Sequence, residues 1–276
     1  MFGPVRPLTV DDLPGCLALA LDRAWQAEEH KWRLLFALGT VYGVHDDAGE
    51  LAGAAVLTRY GDDLAAIGMM VVAARYEGRG LGRRIMTRAL AEAGGAIVFL
   101  NATESGRPLY EKLGFVPVGA THTYVGDFAV PGREASTRPA GPGDLAAIRR
   151  LDAQANGADR PRLVRFLPGF TEHLRVVERG GRITGYAGGW RNVSNVVIGP
   201  VVADGLDDAQ TLIADIAAAV AGPVRIDLDG GQPRLADWVA RHGLAVRCVE
   251  PVMVHGERPL PGDRSRFFAS LTQATG

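Results

Sequence analysis

The sequence predicts a mixed α/β fold that occurs twice in tandem, each copy with a mostly antiparallel central sheet flanked by helices. Two observations predict this class. Apolar strand patterns alternate with amphipathic helix patterns along the whole chain. Short groups of residues also recur about 130 residues apart. Arg6-Pro7 returns as Arg138-Pro139, and the glycine pattern of residues 49–53 returns at residues 181–185. This ordered recurrence indicates two copies of one fold.

The division between the copies is expected in the Pro- and Gly-containing stretch of residues 130–136. It gives a first domain of residues 1–132 and a second domain of residues 133–276. A chain of 276 residues is long enough for two domains of ordinary size, each with its own core.

The elements follow from periodicity and from capping or turn residues. The predicted helices of the first copy cover residues 13–27 and 30–38, the stretch after Gly82, and the stretch between Pro108 and Gly114. Its predicted strands cover residues 40–45, 51–60, 64–73 and 96–100, and a further strand opens at Phe115. In the second copy, helices are predicted at residues 145–155, 207–221 and 233–242, and strands at residues 174–179, 182–191, 195–203 and 224–228.

A glycine-rich turn with Gly78, Gly80 and Gly82 lies between an apolar strand and an amphipathic helix. Glycine lets backbone N–H groups approach a ligand closely, and a helix N-terminus favours negative charge. The turn therefore predicts a phosphate or pyrophosphate site. A triphosphate P-loop would need Lys-Ser/Thr after the last glycine, and a dinucleotide fingerprint would need GxGxxG. Neither pattern is present, and a plain surface turn in a glycine-rich chain is the remaining alternative.

Residues 96–118 form a second informative segment, in which a short apolar strand and a polar loop precede the run PLYEKLGF. Pro108 suits the first turn of a helix, and Gly114 suits its end. The run PLYEKLGF, placed after EGRGLG with this spacing, resembles the GNAT superfamily of acyl-CoA N-acyltransferases.

This resemblance implies that the glycine turn binds the pyrophosphate of coenzyme A and that the preceding strand pairs with the pantetheine arm. It implies acetyl-CoA as co-substrate, no metal ion, and Tyr110 as the acid that protonates the departing thiolate. The residues expected to bind the coenzyme are Met70, Val71, Val72, Glu77, Gly78, Arg79, Gly80, Leu81, Gly82, Arg83 and Asn101. Glu77 stands where the family usually has Gln or Arg, and its carboxylate would repel a pyrophosphate locally.

The second copy lacks these features. At an offset of 131 residues, Gly80 and Gly82 fall on Thr211 and Ile213, and aligning Gly114 with Gly243 places Val239 at the position of Tyr110. The chain thus resembles tandem GNAT proteins whose amino-terminal half carries the acetyltransferase signature and whose carboxy-terminal half is a divergent GNAT-like domain.

The predicted activity is transfer of an acetyl or short acyl group to a primary amine of a small-molecule acceptor, by direct attack on the thioester. A non-catalytic acyl-CoA sensor is the alternative. Trp25, Glu29 and Arg160 are candidates for acceptor binding, against core packing, a solvated helix end and a local ion pair, respectively. The general base is left open, with candidates at Glu28, Glu29, His30 and Asp63.

Composition and net charge limit the kinds of partner that the chain is expected to bind. The formal net charge is −1, so no basic field would hold nucleic acid. No apolar run reaches membrane-spanning length, and Cys16 and Cys248 are consistent with free thiols in a reducing cytoplasm. The acceptor's identity and the oligomeric state, including a homodimer, stay open, and a protein acceptor is not excluded.

Overall fold

The computed structural model describes residues 2–130 and 135–276. Its elements follow the predicted order, and the mixed α/β class with mostly antiparallel sheet is confirmed. The helices are α1 (Leu13–Asp22), α2 (Glu29–Leu38), α3 (Leu81–Ala93), α4 (Arg107–Lys112), α5 (Leu145–Asn156), α6 (Pro161–Phe170), α7 (Leu206–Ala219) and α8 (Pro233–Arg241). The strands are β1 (Arg6–Pro7), β2 (Thr40–His45), β3 (Leu51–Tyr60), β4 (Leu64–Val72), β5 (Ile97–Asn101), β6 (Phe115–Gly126), β7 (Arg138–Pro139), β8 (His173–Arg179), β9 (Arg182–Arg191), β10 (Val196–Ala203), β11 (Val224–Asp229), β12 (Leu244–His255) and β13 (Phe267–Ala269).

Helix α1 ends well before its predicted end near residue 27. Ala24 adopts a left-handed conformation with φ of 57°, and the N–H of Trp25 donates to the carbonyl of Ala20 at 2.9 Å. The N–H of Ala24 donates to the carbonyl of Leu21 at 3.0 Å. These two bonds form a Schellman-type cap, which stops the helix and turns Trp25 away from its axis.

The first compact unit contains the residues up to Val116, together with Met253–Arg258 and Thr275. Its strands lie in the order β1, β2, β3, β4, β5 and then the end of β12. Neighbours are antiparallel from β1 to β4, and β4 is parallel to β5. Helix α3 contributes Leu81, Ile85 and Met86 to the core on this sheet, as its apolar stripe predicts.

The second compact unit contains Pro117–Val252, Pro259–Ala274 and Gly276. Its strands lie in the order β6, β11, β13, β10, β9, β8 and β7, and Leu212, Ile213 and Ile216 of α7 lie in its core. The compact units therefore differ from the sequence halves by two exchanged segments, the end of β12 and most of β6. The predicted boundary between residues 132 and 133 lies outside the described residues.

Each unit has a β-bulge in its central strand. Met69 and Met70 of β4 together face Ala55 of β3, and Met69 has a φ of 50°. Gly199 and Pro200 of β10 likewise face Gly188 of β9. Val201 therefore occupies in β10 the position, directly after the bulge, that Val71 occupies in β4.

No helix in the described part of the chain is long and apolar enough to span a membrane.

The core position of Met253 predicts that β12 is needed for the first unit to be stable. Met253 is 0% exposed and packs in the core that contains α3. Replacing a buried Met by Ala costs about 2–5 kcal/mol, so Met253→Ala should lower the urea midpoint of the unit that contains β2 to β5. Val246→Ala, on the 52% exposed part of the same strand, is the matched control and should leave it unchanged. Equal effects of the two changes would contradict the assignment.

Candidate functional site

The first unit contains a cavity where β4 and β5 separate. The parallel pairing of these strands covers only residues 64–66 and 97–99, and the bulge at Met69 follows on β4. A cavity of about 500 Å³ opens beyond the last pair. Its lining residues are Arg23, Trp25, Met70, Val71, Val72, Tyr76, Glu77, Gly78, Gly80, Leu81, Gly82, Arg83, Thr103, Ser105, Gly106, Leu109, Tyr110 and Lys112.

The glycine turn forms one end of this cavity. Gly78 and Gly80 have φ of 75° and 77°, which side chains rarely adopt. A Cβ atom on either residue would meet nothing within 4 Å, so the need for glycine comes from the backbone conformation and from open space. Gly80 is the N-cap of α3 and makes no side-chain cap. The first N–H groups of α3, on Leu81, Gly82 and Arg83, have no partner within the helix, and such a terminus has the chemistry to accept an anion.

The carboxylate of Glu77 is neutralised by an arginine that the sequence analysis missed. The Nη1 atom of Arg23 lies 2.8 Å from Oε2 of Glu77, and both residues line the cavity. The N–H of Ala74 donates to Asp22 at 2.6 Å, which ties the end of α1 to the turn. The repulsion expected from Glu77 is thus offset by Arg23. The two residues are far apart in sequence and share no pattern, so only the fold brings them together.

Tyr76 lines the cavity and also stabilises the turn through two contacts. Its hydroxyl donates to Oδ2 of Asp46 at 2.7 Å, and the guanidinium of Arg79 lies 5.5 Å from its ring centroid. Arg79 therefore packs on Tyr76 and is absent from the described cavity lining. The Tyr76 hydroxyl, backbone N–H groups and Arg75 lower the pKa of the Asp46 carboxyl to about 2.

Tyr110 lies on α4. It is far from the glycine turn in sequence, but both line the same cavity. It is 6% exposed, and its ring centroid lies 6.0 Å from that of Phe115. Gly106 permits this packing, because a Cβ atom there would lie 2.9 Å from Cε2 of Tyr110. Thr103 and Ser105, from the predicted polar loop, line the cavity where Asn101 was expected. Asn101 ends β5 and lies outside the lining.

The two candidates for acceptor binding in the first unit, Trp25 and Glu29, differ in their position relative to the cavity. Trp25 lines the cavity, where the left-handed Ala24 places it. Glu29 lies outside the lining and pairs with Arg33 at 2.7 Å. None of the candidate bases, Glu28, Glu29, His30 and Asp63, is among the described lining residues.

Arg160 lies in the second unit and is buried in an ion pair with Asp152 at 2.6 Å. The expectation that it binds the acceptor is therefore not supported, because its guanidinium is enclosed by protein. Asp159, which the sequence places beside it, pairs instead with Arg149 through Nε at 2.6 Å. Arg191 pairs with Glu172 at 3.2 Å. All three arginines, Arg160, Arg149 and Arg191, are thus engaged in local ion pairs.

The cysteines have no place in the site. Cys16 is buried, and burial raises its pKa to about 12, while Cys248 is exposed. Both are free thiols. A thiol with so high a pKa is a poor nucleophile at neutral pH.

A parallel strand pair that opens onto a glycine-capped helix is an arrangement that suits a phosphate-bearing ligand, and the comparisons with known proteins identify the family. Models of the acetyltransferase (GNAT) domain match residues 37–117 and residues 148–269. The chain belongs to the GNAT acetyltransferases and carries two such domains in tandem. The predicted family is confirmed, and GNAT domains in general use acetyl-CoA as co-substrate.

Individual relatives agree with this assignment. The chain is 26% identical over 272 residues, 96% of each chain, to the uncharacterized N-acetyltransferase YitH of Bacillus subtilis. Its fold is similar to that of a putative acetyltransferase from Pyrococcus horikoshii, with a TM-score of 0.85, 19% identity, and coverage of 100% of this chain and 96% of the other. A tandem GNAT protein from the clavulanic acid biosynthesis pathway has a TM-score of 0.68 and 13% identity, with coverage of 94% and 100%.

The low pKa of Asp46 predicts that the hydrogen bond between Asp46 and Tyr76 stabilises the fold less at acid pH. Its folded-state pKa of about 2 lies below the unfolded value of about 4. The stability that Asp46 contributes is therefore present above pH 4 and is lost as the pH falls towards 2. Wild type should melt at a higher temperature than Asp46→Asn at pH 6, and calorimetry should show this difference closing between about pH 4 and 2. Asp62→Asn, on a fully exposed side chain, is the control. A gap that stays constant with pH would contradict this prediction.

Proposed function

We propose that the chain transfers an acetyl or other short acyl group from acyl-CoA to a primary amine of a small-molecule acceptor, by direct attack, in its first domain. One observation carries this proposal: the glycine turn at the N-terminus of α3 and the buried Tyr110 line a single cavity. The turn suits a diphosphate, and the tyrosine supplies a proton donor within the same space.

The coenzyme would bind along β4. Its pyrophosphate would accept hydrogen bonds from N–H groups of the turn and of the first residues of α3, with Arg83 adding positive charge. Its pantetheine arm would lie beside Met70, Val71 and Val72, where β4 has left its pairing with β5. The amide groups of pantetheine can then hydrogen-bond a strand edge as another strand would.

The chemistry needs a neutral amine, because an alkylammonium has a pKa of about 10.4 and no free electron pair. The amine nitrogen would attack the thioester carbonyl, and a backbone N–H at the end of β4 would stabilise the oxyanion. The C–S bond would then break, the hydroxyl of Tyr110 would protonate the leaving thiolate, and the Tyr110 phenolate would take a proton back from water.

The proton from the amine would pass to water. Among the described lining residues the only carboxylate is that of Glu77, which is paired with Arg23. With water as the proton acceptor, the reaction would use no side-chain base. Because only the neutral amine reacts, kcat/KM should rise with pH towards the pKa of the amine.

The glycine turn can be tested through its backbone. Gly80→Ala would strain a left-handed position and place a methyl group where the phosphate would bind, so acetyl-CoA should bind at least about tenfold more weakly by titration calorimetry. Gly61→Ala is the matched control, because Gly61 also has a positive φ of 66° and open space around its Cβ position. It carries the same strain but lies in the turn between β3 and β4. Equal affinities of the two variants would argue against the turn as the phosphate site.

Tyr110 can be tested through turnover. Tyr110→Phe keeps the ring packing but removes the hydroxyl, so kcat should fall about 10²-fold with little change in the Kd for acetyl-CoA. Thiol release with a panel of small primary amines measures kcat. Tyr124→Phe, at an equally buried tyrosine of the second unit, is the control and should be fully active. An unchanged kcat for Tyr110→Phe would remove it from the mechanism. Wild-type binding of acetyl-CoA without turnover of any amine would instead favour a sensor.

A further inference from the structure

The second domain keeps the strand arrangement that makes the coenzyme cleft in the first. Strands β10 and β11 are parallel and pair only through Val196 with Val224 and Val197 with Arg225. The bulge at Gly199 and Pro200 follows, as the bulge at Met69 and Met70 follows the pairing of β4 with β5. The strands of the second domain therefore also separate, and a cleft of the same kind is formed between them.

This cleft is filled by the chain itself. Strand β13 lies between β10 and β11 in the sheet, with Ala269 paired to Val201 on one side and to Leu228 on the other. We name residues 267–276 the closing segment; all of them except Thr275 belong to the second compact unit. A strand added between two separated strands satisfies the backbone groups that the separation leaves exposed, as an extended peptide does when it binds a sheet edge.

The residues after β13 continue into the cleft and are held by specific contacts. The N–H of Ser270 donates to the carbonyl of Asp227 at 3.3 Å, and Nε1 of Trp190 donates to the carbonyl of Leu271 at 3.1 Å. Ser270, Leu271 and Thr272 are buried. Gly199 makes room for them, because a Cβ atom there would lie 2.0 Å from the carbonyl oxygen of Ser270.

A buried charged network also holds the closing segment. Arg160 donates through Nε to Asp152 at 2.8 Å and through Nη1 to the carbonyl of Gly276 at 3.1 Å. The hydroxyl of Tyr186 donates to the same carboxylate. Burying an ion pair costs desolvation energy, so its presence here needs a local reason. Fixing the backbone of the closing segment at Gly276 supplies one.

The second domain also lacks the helix N-terminus that suits a phosphate in the first domain. Helix α7 has Asp207 and Asp208 in its first turn, where α3 has Gly82, Arg83 and Arg84. Carboxylates at a helix N-terminus repel a diphosphate and satisfy the helix dipole themselves. Its N-cap, Gly205, has an extended φ of −168° in place of the left-handed turn of Gly80.

We propose that the second GNAT domain has turned its acyl-CoA cleft into a peptide-binding groove whose occupant is the closing segment of the same chain, residues 267–276. One chain then binds one acyl-CoA, at the first domain. The stoichiometry rests on the proposed function, whereas the occupation of the groove does not.

Hydrogen exchange measured by mass spectrometry on the full chain tests the groove. Amides of residues 269–274 should exchange at least about 100-fold more slowly than in a synthetic peptide of residues 267–276. Gly199→Ala should remove most of this protection and should speed trypsin cleavage at Arg264 and Arg266, while β8 stays protected. Gly119→Ala, where an added Cβ meets nothing within 4 Å, should leave both unchanged. Rapid exchange in wild type, or no effect of Gly199→Ala, would overturn the proposal.

A second arm uses a chain that lacks residues 267–276. If it folds, the synthetic peptide should bind it with a 1:1 stoichiometry and should raise its melting temperature, and failure to bind would overturn the proposal. If it does not fold, the exchange experiment decides. Titration with acetyl-CoA should give one site per chain, and a second site in either form would overturn the proposal. No heat at all would refute the proposed function and leave the exchange result to decide on the groove.

Discussion

The early end of the parallel pairing between β4 and β5 is the constraint on which the first domain depends. Paired strands lie about 4.8 Å apart, which leaves no space for a ligand between them. Because the pairing stops at Ala66 and the bulge at Met69 follows, β4 leaves β5 and opens a cavity. The glycine turn and α3 follow directly from the end of β4, so the helix N-terminus borders the same opening. The position of the proposed anion site is thus a consequence of strand geometry as much as of glycine content.

The second domain shows what the same geometry does without a coenzyme. Separated strands leave backbone groups that must find partners, and a bound ligand, water or another peptide can supply them. In the first domain the cavity is open, and its lining includes the glycine turn and Tyr110. In the second, β13 pairs with both separated strands, and Trp190 and Arg160 bind the residues that follow. One architecture therefore leaves an open cavity in the first domain and is filled by the chain itself in the second.

Features with local physical causes could be predicted from the sequence. The turn glycines are needed for positive φ at Gly78 and Gly80, and the tyrosine helix has its own start and stop signals. Features that depend on distant partners could not be predicted. Arg23 neutralises Glu77 only because the end of α1 lies beside the turn. Helix α6 was not predicted at all, because Pro168 interrupts its helical pattern. The strand β13 was missed because three residues carry too little periodicity.

Backbone strain distinguishes the two domains. Among the described residues, Ala24 and Met69 are the non-glycine residues with positive φ, and each costs about 1–2 kcal/mol relative to a relaxed backbone. Folding alone would favour glycine at both, since the cap at Ala24 is one that glycine usually occupies. Each strained residue directly precedes a residue that lines the cavity, Trp25 or Met70. At the bulge of the second domain, Gly199 stands in the place of Met69 and has no positive φ. Strain is therefore retained beside the open cavity and absent from the matching bulge, where the cleft is filled by the chain. This is the distribution expected if the strained residues serve ligand binding and not folding.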